Sequence, residues 1–175
     1  MVSMRYLVVV DMQRDFINGS LGTREAQAVL PKVVSKVSSF DGKVVYTMDT
    51  HGPDYLSTQE GRLLPVEHCI AGTPGWEIPP ELSDVLESRH ARRYVKGTFG
   101  SVELAQDLAS ENVDSVEVVG LCTDICVVSN AMLLKAYLPE VTISVDASCC
   151  AGTSLERHRA ALETMRSCQV RVDGE

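Results

Sequence analysis

The chain has no surplus of positive charge, no CxxC pair and no apolar run approaching the ~20 residues that a membrane span needs. Each absence removes a class of function. Lys and Arg number 16 against 24 Asp and Glu, a net charge of −8. Nucleic-acid binders carry a basic patch or surplus, so a nucleic-acid partner is not expected. The missing apolar run argues against a membrane-embedded protein. Internal repeats and low-complexity tracts are also missing. The opening residues, MVSMRYLVVVDMQRDF, hold an apolar run too short for a leader and meet acidic residues at once. The expected setting is cytoplasmic, with the six cysteines reduced and most of them acting as small buried hydrophobes.

What is present suits a folded domain. The 175 residues are 45% hydrophobic and 23% charged, which excludes wholesale disorder. A chain of this length buries roughly two-thirds of its unfolded surface. One domain spanning residues 1–175 is expected.

Four Val- and Ile-rich runs have strand length: Arg5–Val10 ending at Asp11, Lys43–Met48 ending at Asp49, Asp114–Val119 ending at Gly120, and Val141–Val145 ending at Asp146. Unbroken apolar runs indicate strands covered on both faces, as in parallel sheets. Arg93–Val95 starts or ends a further strand. Between these runs lie helical patterns. Arg24–Ser39 carries apolar Ala28, Val29, Val33 and Val37; Val102–Ala109 is a short helix; Thr123–Tyr137 is mostly apolar; Ser154–Cys168 opens on a capping serine. The alternation predicts an α/β fold, a doubly wound Rossmann-like parallel sheet with helices on both faces. The stretch His51–Pro80 is least regular. It holds five of the seven prolines and two of the four histidines, which reads as a functional loop. The tail Val172–Glu175 is expected to fray.

In doubly wound sheets, ligands sit at the carboxyl ends of strands. Asp11, Asp49 and the Gly120–Cys126 loop should therefore converge on one edge. Cys126 follows a strand and a glycine, in the first turn of the predicted helix, where Thr123 or Asp124 can cap. Such a cysteine is either one more core residue or a nucleophile. A thiolate there would gain from the helix dipole and from free backbone N–H groups, which lower its pKa and can hold an oxyanion. Asp11 is the natural proton acceptor, and Lys96, after Arg92-Arg93-Tyr94-Val95, a positive neighbour. Alone, Asp11 reads as a turn former and Lys96 as a surface charge.

Asp49-Thr50-His51 places a carboxylate and an imidazole two residues apart, on one side of an extended chain. His68 lies in the irregular loop, with Glu60 between. Two imidazoles and two carboxylates suit a divalent transition metal, Zn first with Mn or Fe as alternatives, over Ca or Mg. A turn-capping Asp49 and a surface His51 are the plain alternative. His90 and His158 have no comparable partners and read as surface residues.

The motifs Asp11-Met12-Gln13-Arg14-Asp15-Phe16, Asp49-x-His51, His68-Cys69 followed by Gly72-Thr73-Pro74-Gly75, Lys96, and Gly120-Leu121-Cys122-Thr123-Asp124-Ile125-Cys126-Val127 occur in this order. In this set the chain resembles the isochorismatase-like cysteine hydrolases, specifically their nicotinamidase (pyrazinamidase) branch. The resemblance runs from about Arg5 to Val145. It implies a triad of Asp11, Lys96 and Cys126, an oxyanion hole from the backbone N–H groups of Cys122 and Cys126, and a cis peptide near Leu121–Cys122. It implies metal ligands at Asp49, His51 and His68, with Glu60 matching a fourth ligand found in some members. Phe16 matches a residue that packs on the substrate ring, with Leu21 and Ile125 beside it. The implied activity is hydrolysis of nicotinamide, a small-molecule substrate, to nicotinate and ammonia in NAD salvage. The subunit count stays open, a homo-oligomer included. Two departures bear on the substrate: Thr50 stands where many nicotinamidases have Trp, and Ile125 where many have Tyr or His. Trp76, Phe99 or Tyr55 are candidate replacements. A family amidase acting on a carbamoyl or ureido substrate, and a catalytically silent interaction module, are the other readings.

Overall fold

Residues 4–175 are described by a computed structural model; residues 1–3, part of the opening segment read above for a leader, lie outside the described residues. Six strands form one sheet: β1 (Arg5–Val10), β2 (Lys43–Asp49), β3 (Arg92–Lys96), β4 (Ser115–Leu121), β5 (Thr142–Ala151) and β6 (Arg171–Asp173). Their order is β3-β2-β1-β4-β5-β6, and every pairing is parallel. The chain starts in the middle, builds outward to β3, then returns to lay β4 beside β1. The crevice between β1 and β4 is thus the point where the winding reverses.

Helices cover both faces. One layer holds α1 (Arg14–Ile17), α2 (Arg24–Ser39) and α4 (Pro80–Ser88), packing Phe16, Val33 and Leu82 on Leu7 and Val9 of β1. The other holds α5 (Val102–Ala109), α6 (Val128–Tyr137) and α7 (Leu155–Ser167), packing Leu108, Leu134 and Leu162 on Val8 and Val10. Alternate residues of β1 feed opposite layers, which is why this strand reads as continuously apolar.

Local chemistry sets the helix ends. The Thr23 hydroxyl accepts from Ala26 N at the start of α2, and Ser154 accepts from Arg157 N at the start of α7. On α2 the buried residues are Ala26, Val29, Val33 and Val37; Ala28 faces solvent, so the apolar stripe begins two residues earlier than expected. The irregular stretch contains a short 3₁₀ turn, Tyr55–Ser57, and α3 (Gln59–Leu63). The helix α4 starts on Pro80, whose fixed φ suits a first helical position.

Two expectations are corrected. The fifth strand does not stop at Asp146 but runs on to Ala151, with a register shift opposite Val118 and Gly120. The tail is not frayed throughout: Arg171–Asp173 pairs with Ser144–Asp146 as β6. Asp146 survives inside a strand because its charge is matched. Lys36 on α2 lies 2.7 Å from Asp146 Oδ2 and 2.6 Å from Glu117 Oε1 on β4. Ser148 N and Oγ also donate to Asp146. Burial would raise the Asp146 carboxyl, but Lys36 and Ser148 outweigh it and hold it below its ordinary 3.8. Among the described residues no helix is long and apolar enough to cross a membrane.

Lys36→Met should cost about 2 kcal/mol of unfolding free energy at neutral pH. A carboxyl with a depressed folded pKa stabilises above its unfolded value and loses that contribution as pH falls through the folded value. The gap between variant and parent should therefore shrink below about pH 4. Urea titrations at pH 7 and pH 3 measure both.

Candidate active site

Asp11, Asp49, Lys96 and the turn carrying Cys126 all lie at the carboxyl edge of the sheet. The chain leaves β1 through Asp11 with φ 47°, a left-handed conformation that aspartate tolerates better than most residues. Asp11 is fully buried, Cys126 is 4% exposed and Lys96 5%. Lys96 Nζ lies 2.6 Å from Asp11 Oδ2 and 3.5 Å from Cys126 Sγ, and it donates to Thr98 O at 2.9 Å. The three expected triad residues are thus brought together from three separate chain segments.

Thr47 decides which oxygen of Asp11 is available. Its hydroxyl donates to Asp11 Oδ1 at 2.6 Å. Oδ2 is left to Lys96 and the thiol. Burial raises the Asp11 carboxyl, with Lys96 the main opposing influence. Burial alone would lower Lys96, but Asp11, Cys126 and Asp49 outweigh it and keep the ammonium charged. Burial also pushes the Cys126 thiol well above its ordinary range, Asp11 adding to the rise and Lys96 opposing it. This corrects the expectation of a depressed thiol. Thiol and carboxylate thus face each other beside the ammonium, an arrangement fit for proton transfer coupled to attack.

The turn holding Cys126 also departs from expectation. Thr123–Val127 forms a wide π-type turn, with Val127 N donating to Cys122 O, before α6 begins at Val128. Neither Thr123 nor Asp124 caps it. The Thr123 hydroxyl instead contacts His158, and the Asp124 carboxylate accepts from Thr153. Single π-turns are concentrated at functional sites. The Leu121–Cys122 peptide is cis. Gly120 lies inside β4 rather than after it, at φ 119°, and a Cβ there would collide with the Val10 carbonyl oxygen. Asn130, buried on α6, donates to Cys126 O at 2.8 Å and to Phe99 O at 3.1 Å, and accepts from Ser101 N. It ties the cysteine turn to the loop that follows Lys96.

Beside this group, Asp49, His51, Glu60 and His68 turn one donor atom each toward a common point, all within 4.8 Å of one another. Asp49 Oδ2 lies 3.0 Å from His51 Nε2 and 3.5 Å from His68 Nε2; Glu60 Oε1 lies 3.6 Å from each imidazole. Four ligands at the usual bond lengths around one tetrahedral ion stand about 3.4 Å apart, so these residues fit a divalent transition metal. His68 Nδ1 donates to Val66 O at 2.8 Å, which leaves Nε2 free to ligate. Tyr55, fully buried, packs its ring behind both imidazoles at 4.8 and 4.9 Å. It supports the ligands instead of replacing a pocket aromatic.

The rest of the first motif holds this cluster in place. Gln13 grips the Asp49 backbone, donating to its O and accepting from its N at 2.8 Å each, and donates to Trp76 O at 2.9 Å. The Asp15 carboxylate accepts from Cys69 N, next to His68, at 2.8 Å. Phe16 packs on the His68 ring at 5.5 Å. Trp76 donates its indole N–H to the Thr50 hydroxyl at 2.9 Å, filling the flank of the Asp49-x-His51 segment. Leu21 is half-buried near α1 and α2, and Ile125 is half-buried in a groove with Val128 and Ala161. Phe99 is exposed. Thr47, Asn130 and His158 carry no sequence signal that would have marked them; only Thr47, two residues before Asp49 on the same strand face, lay within reach of the alternation rule.

The Lys96–Asp11 pair is buried, so removing one member leaves an uncompensated charge. Lys96→Met should destabilise by about 3–5 kcal/mol. Asp11→Asn combined with Lys96→Met should recover a large part of that loss. A double-mutant cycle by urea unfolding checks it; strictly additive losses would show that the two do not act as a unit.

The chain matches the Isochorismatase domain over residues 5–173. It is 30% identical over 184 residues to a nicotinamidase/pyrazinamidase of Mycobacterium tuberculosis, covering 97% of this chain and 98% of that one. A crystal structure of nicotinamidase/pyrazinamidase from Bacillus subtilis superposes with a TM-score of 0.85 at 28% identity, covering 97% of this chain and 99% of that one. A pyrazinamidase of Pyrococcus horikoshii solved in complex with zinc gives a TM-score of 0.80 at 27% identity, covering 98% and 99%. With its parallel sheet, its strand-end cluster and these near full-length likenesses, the chain belongs to the isochorismatase-domain family.

Proposed function

We propose that this protein hydrolyses a small aromatic carboxamide, nicotinamide in the first instance, to the carboxylate and ammonia through a thioester on Cys126. The observation that carries this reading is the buried contact of Lys96 Nζ with both Asp11 Oδ2 and Cys126 Sγ, beside the four-donor cluster. The likeness to nicotinamidases supports the choice of amide.

The amide carbon enters above Sγ. Asp11 takes the thiol proton as sulfur attacks, and the Lys96 ammonium stabilises the negative charge passing from carboxylate to sulfur. The carbonyl oxygen becomes an oxyanion, held by the backbone N–H groups of Cys122 and Cys126. Asp11 then gives its proton to the leaving nitrogen, and ammonia departs. The same carboxylate activates water against the thioester, releasing the acid and restoring the thiol. Thr47 keeps Oδ2 directed at these transfers throughout. Asp49, His51, Glu60 and His68 would hold a divalent ion, zinc or a near relative. When bound, that ion supplies a Lewis-acidic point suited to a ring nitrogen. Phe16 and Leu21 are the proposed apolar lining; Ile125 faces the groove toward α7. The product acid is a pyridine carboxylate of use in rebuilding NAD, and the six unpaired cysteines suit a reducing cytoplasm.

Cys126→Ala should lower ammonia release from nicotinamide by at least about 1000-fold, and rapid-quench mass spectrometry of the parent should find a nicotinoyl adduct on the Cys126 peptide. Turnover retained in the variant would exclude covalent catalysis. Separately, stripping metal with a chelator should raise KM for nicotinamide by more than about tenfold, equivalent to about 1.4 kcal/mol of binding, with zinc restoring it. An unchanged KM in metal-free protein would remove the ring-orienting role of the cluster.

A further inference from the structure

The turn that carries Cys126 is held from behind by the corner between β5 and α7. Thr123, the first residue of the turn, is fully buried, and its hydroxyl lies 2.7 Å from Nδ1 of His158 on the first turns of α7. The corner is shaped for this contact. At Gly152 an added Cβ would come within 2.8 Å of His158 Cβ and 3.0 Å of Asp124 Oδ1. The neighbouring tether, Asp124 to Thr153 N and Oγ1 at 2.8 and 2.6 Å, is solvent-exposed and so contributes less. A buried hydroxyl left without a partner is costly, which makes the histidine the stronger of the two anchors.

Burial holds the His158 imidazole below its ordinary pKa, with Arg159 adding to the drop and Asp124 opposing it. A neutral ring pairs Nδ1 with the Thr123 hydroxyl in either tautomer, since a hydroxyl can donate or accept. Three residues after Thr123 comes the thiol, and one residue before it comes the Cys122 N–H. Any shift of Thr123 is therefore passed to the sulfur and to both backbone donors.

We propose that His158 is a positioning residue of the hydrolytic site: by hydrogen-bonding the Thr123 hydroxyl at Nδ1, it fixes the turn that aims Cys126 Sγ at Asp11 and Lys96. The proposal rests on Cys126 being the nucleophile.

Three variants test it. Asn at this position keeps a hydrogen-bonding group near the place of Nδ1, Gln moves it outward toward the place of Nε2, and Leu removes it. His158→Leu and His158→Gln should lower kcat for amide hydrolysis by about tenfold to a hundredfold, with KM within about twofold. Alkylation of the Cys126 peptide by iodoacetamide, followed by mass mapping, should change by a similar factor. His158→Asn should recover most of both. If Asn is as impaired as Gln, or if Leu and Gln match the parent in both readouts, the proposal is overturned. If the Leu variant does not fold, the Asn and Gln pair decides. The alkylation arm reads the turn even if the parent hydrolyses no amide tested, so failure of the functional reading and failure of this proposal are distinguishable.

Discussion

The Lys96 ammonium is the interaction on which the site depends. A cation buried this deeply is tolerated only among opposite charges and acceptors, and it has Asp11 at 2.6 Å, Asp49 at 3.7 Å and a backbone carbonyl at 2.9 Å. Its placement explains the choice of residue. In the sheet β3 and β1 are separated by β2, a lateral distance of about 10 Å. Only a long side chain starting from β3 can arrive beside a carboxylate at the end of β1. Lysine spans that gap with a flexible stem and ends in a compact charge, where the planar fork of arginine would demand two aligned partners. Because the same ammonium faces both Asp11 and Asp49, the Asp11–Cys126 group and the donor cluster are electrostatic neighbours.

The first motif illustrates how few of the residues near a reaction centre need to take part in it. Asp11 faces the sulfur. Gln13 fastens the backbone of Asp49 at the end of β2, and Asp15 fastens the backbone beside His68 in the irregular loop. One hexapeptide thereby sets the relative position of three remote segments. Its spacing follows from geometry: the chain has just left a strand and entered the short helix α1, so residues 13, 15 and 16 fan outward to different partners.

Much of the frame was legible in the primary structure. The bounds of β1, α2 and α5 match the expected ranges residue for residue: β1 is an unbroken apolar run stopped by a charge, and the two helices begin after the capping residues Thr23 and Ser101. The helix α4 was missed because it follows the proline-rich stretch and is only nine residues long. The continuation of β5 was missed because a charged Asp146 reads as a terminator until its partners on α2 and β4 are known. In the site, residues at strand ends were identifiable from topology and motif. Thr47, Asn130 and His158 were not, because each acts through a partner distant in sequence. The direction of the Cys126 shift was misjudged because a helix start was weighed and burial was not.

Gly120 has a further consequence. With no room for a side chain against Val10, it sets the gauge between the two central strands, and so the separation of Asp11 from the turn that bears the thiol. The frame therefore offers no freedom at its centre. Variation that adapts such a scaffold to a larger or differently shaped amide has to accumulate at the rim, at exposed and half-buried positions of the segments 18–23, 62–67 and 97–100, where a changed side chain leaves the spacing of the site's buried groups untouched.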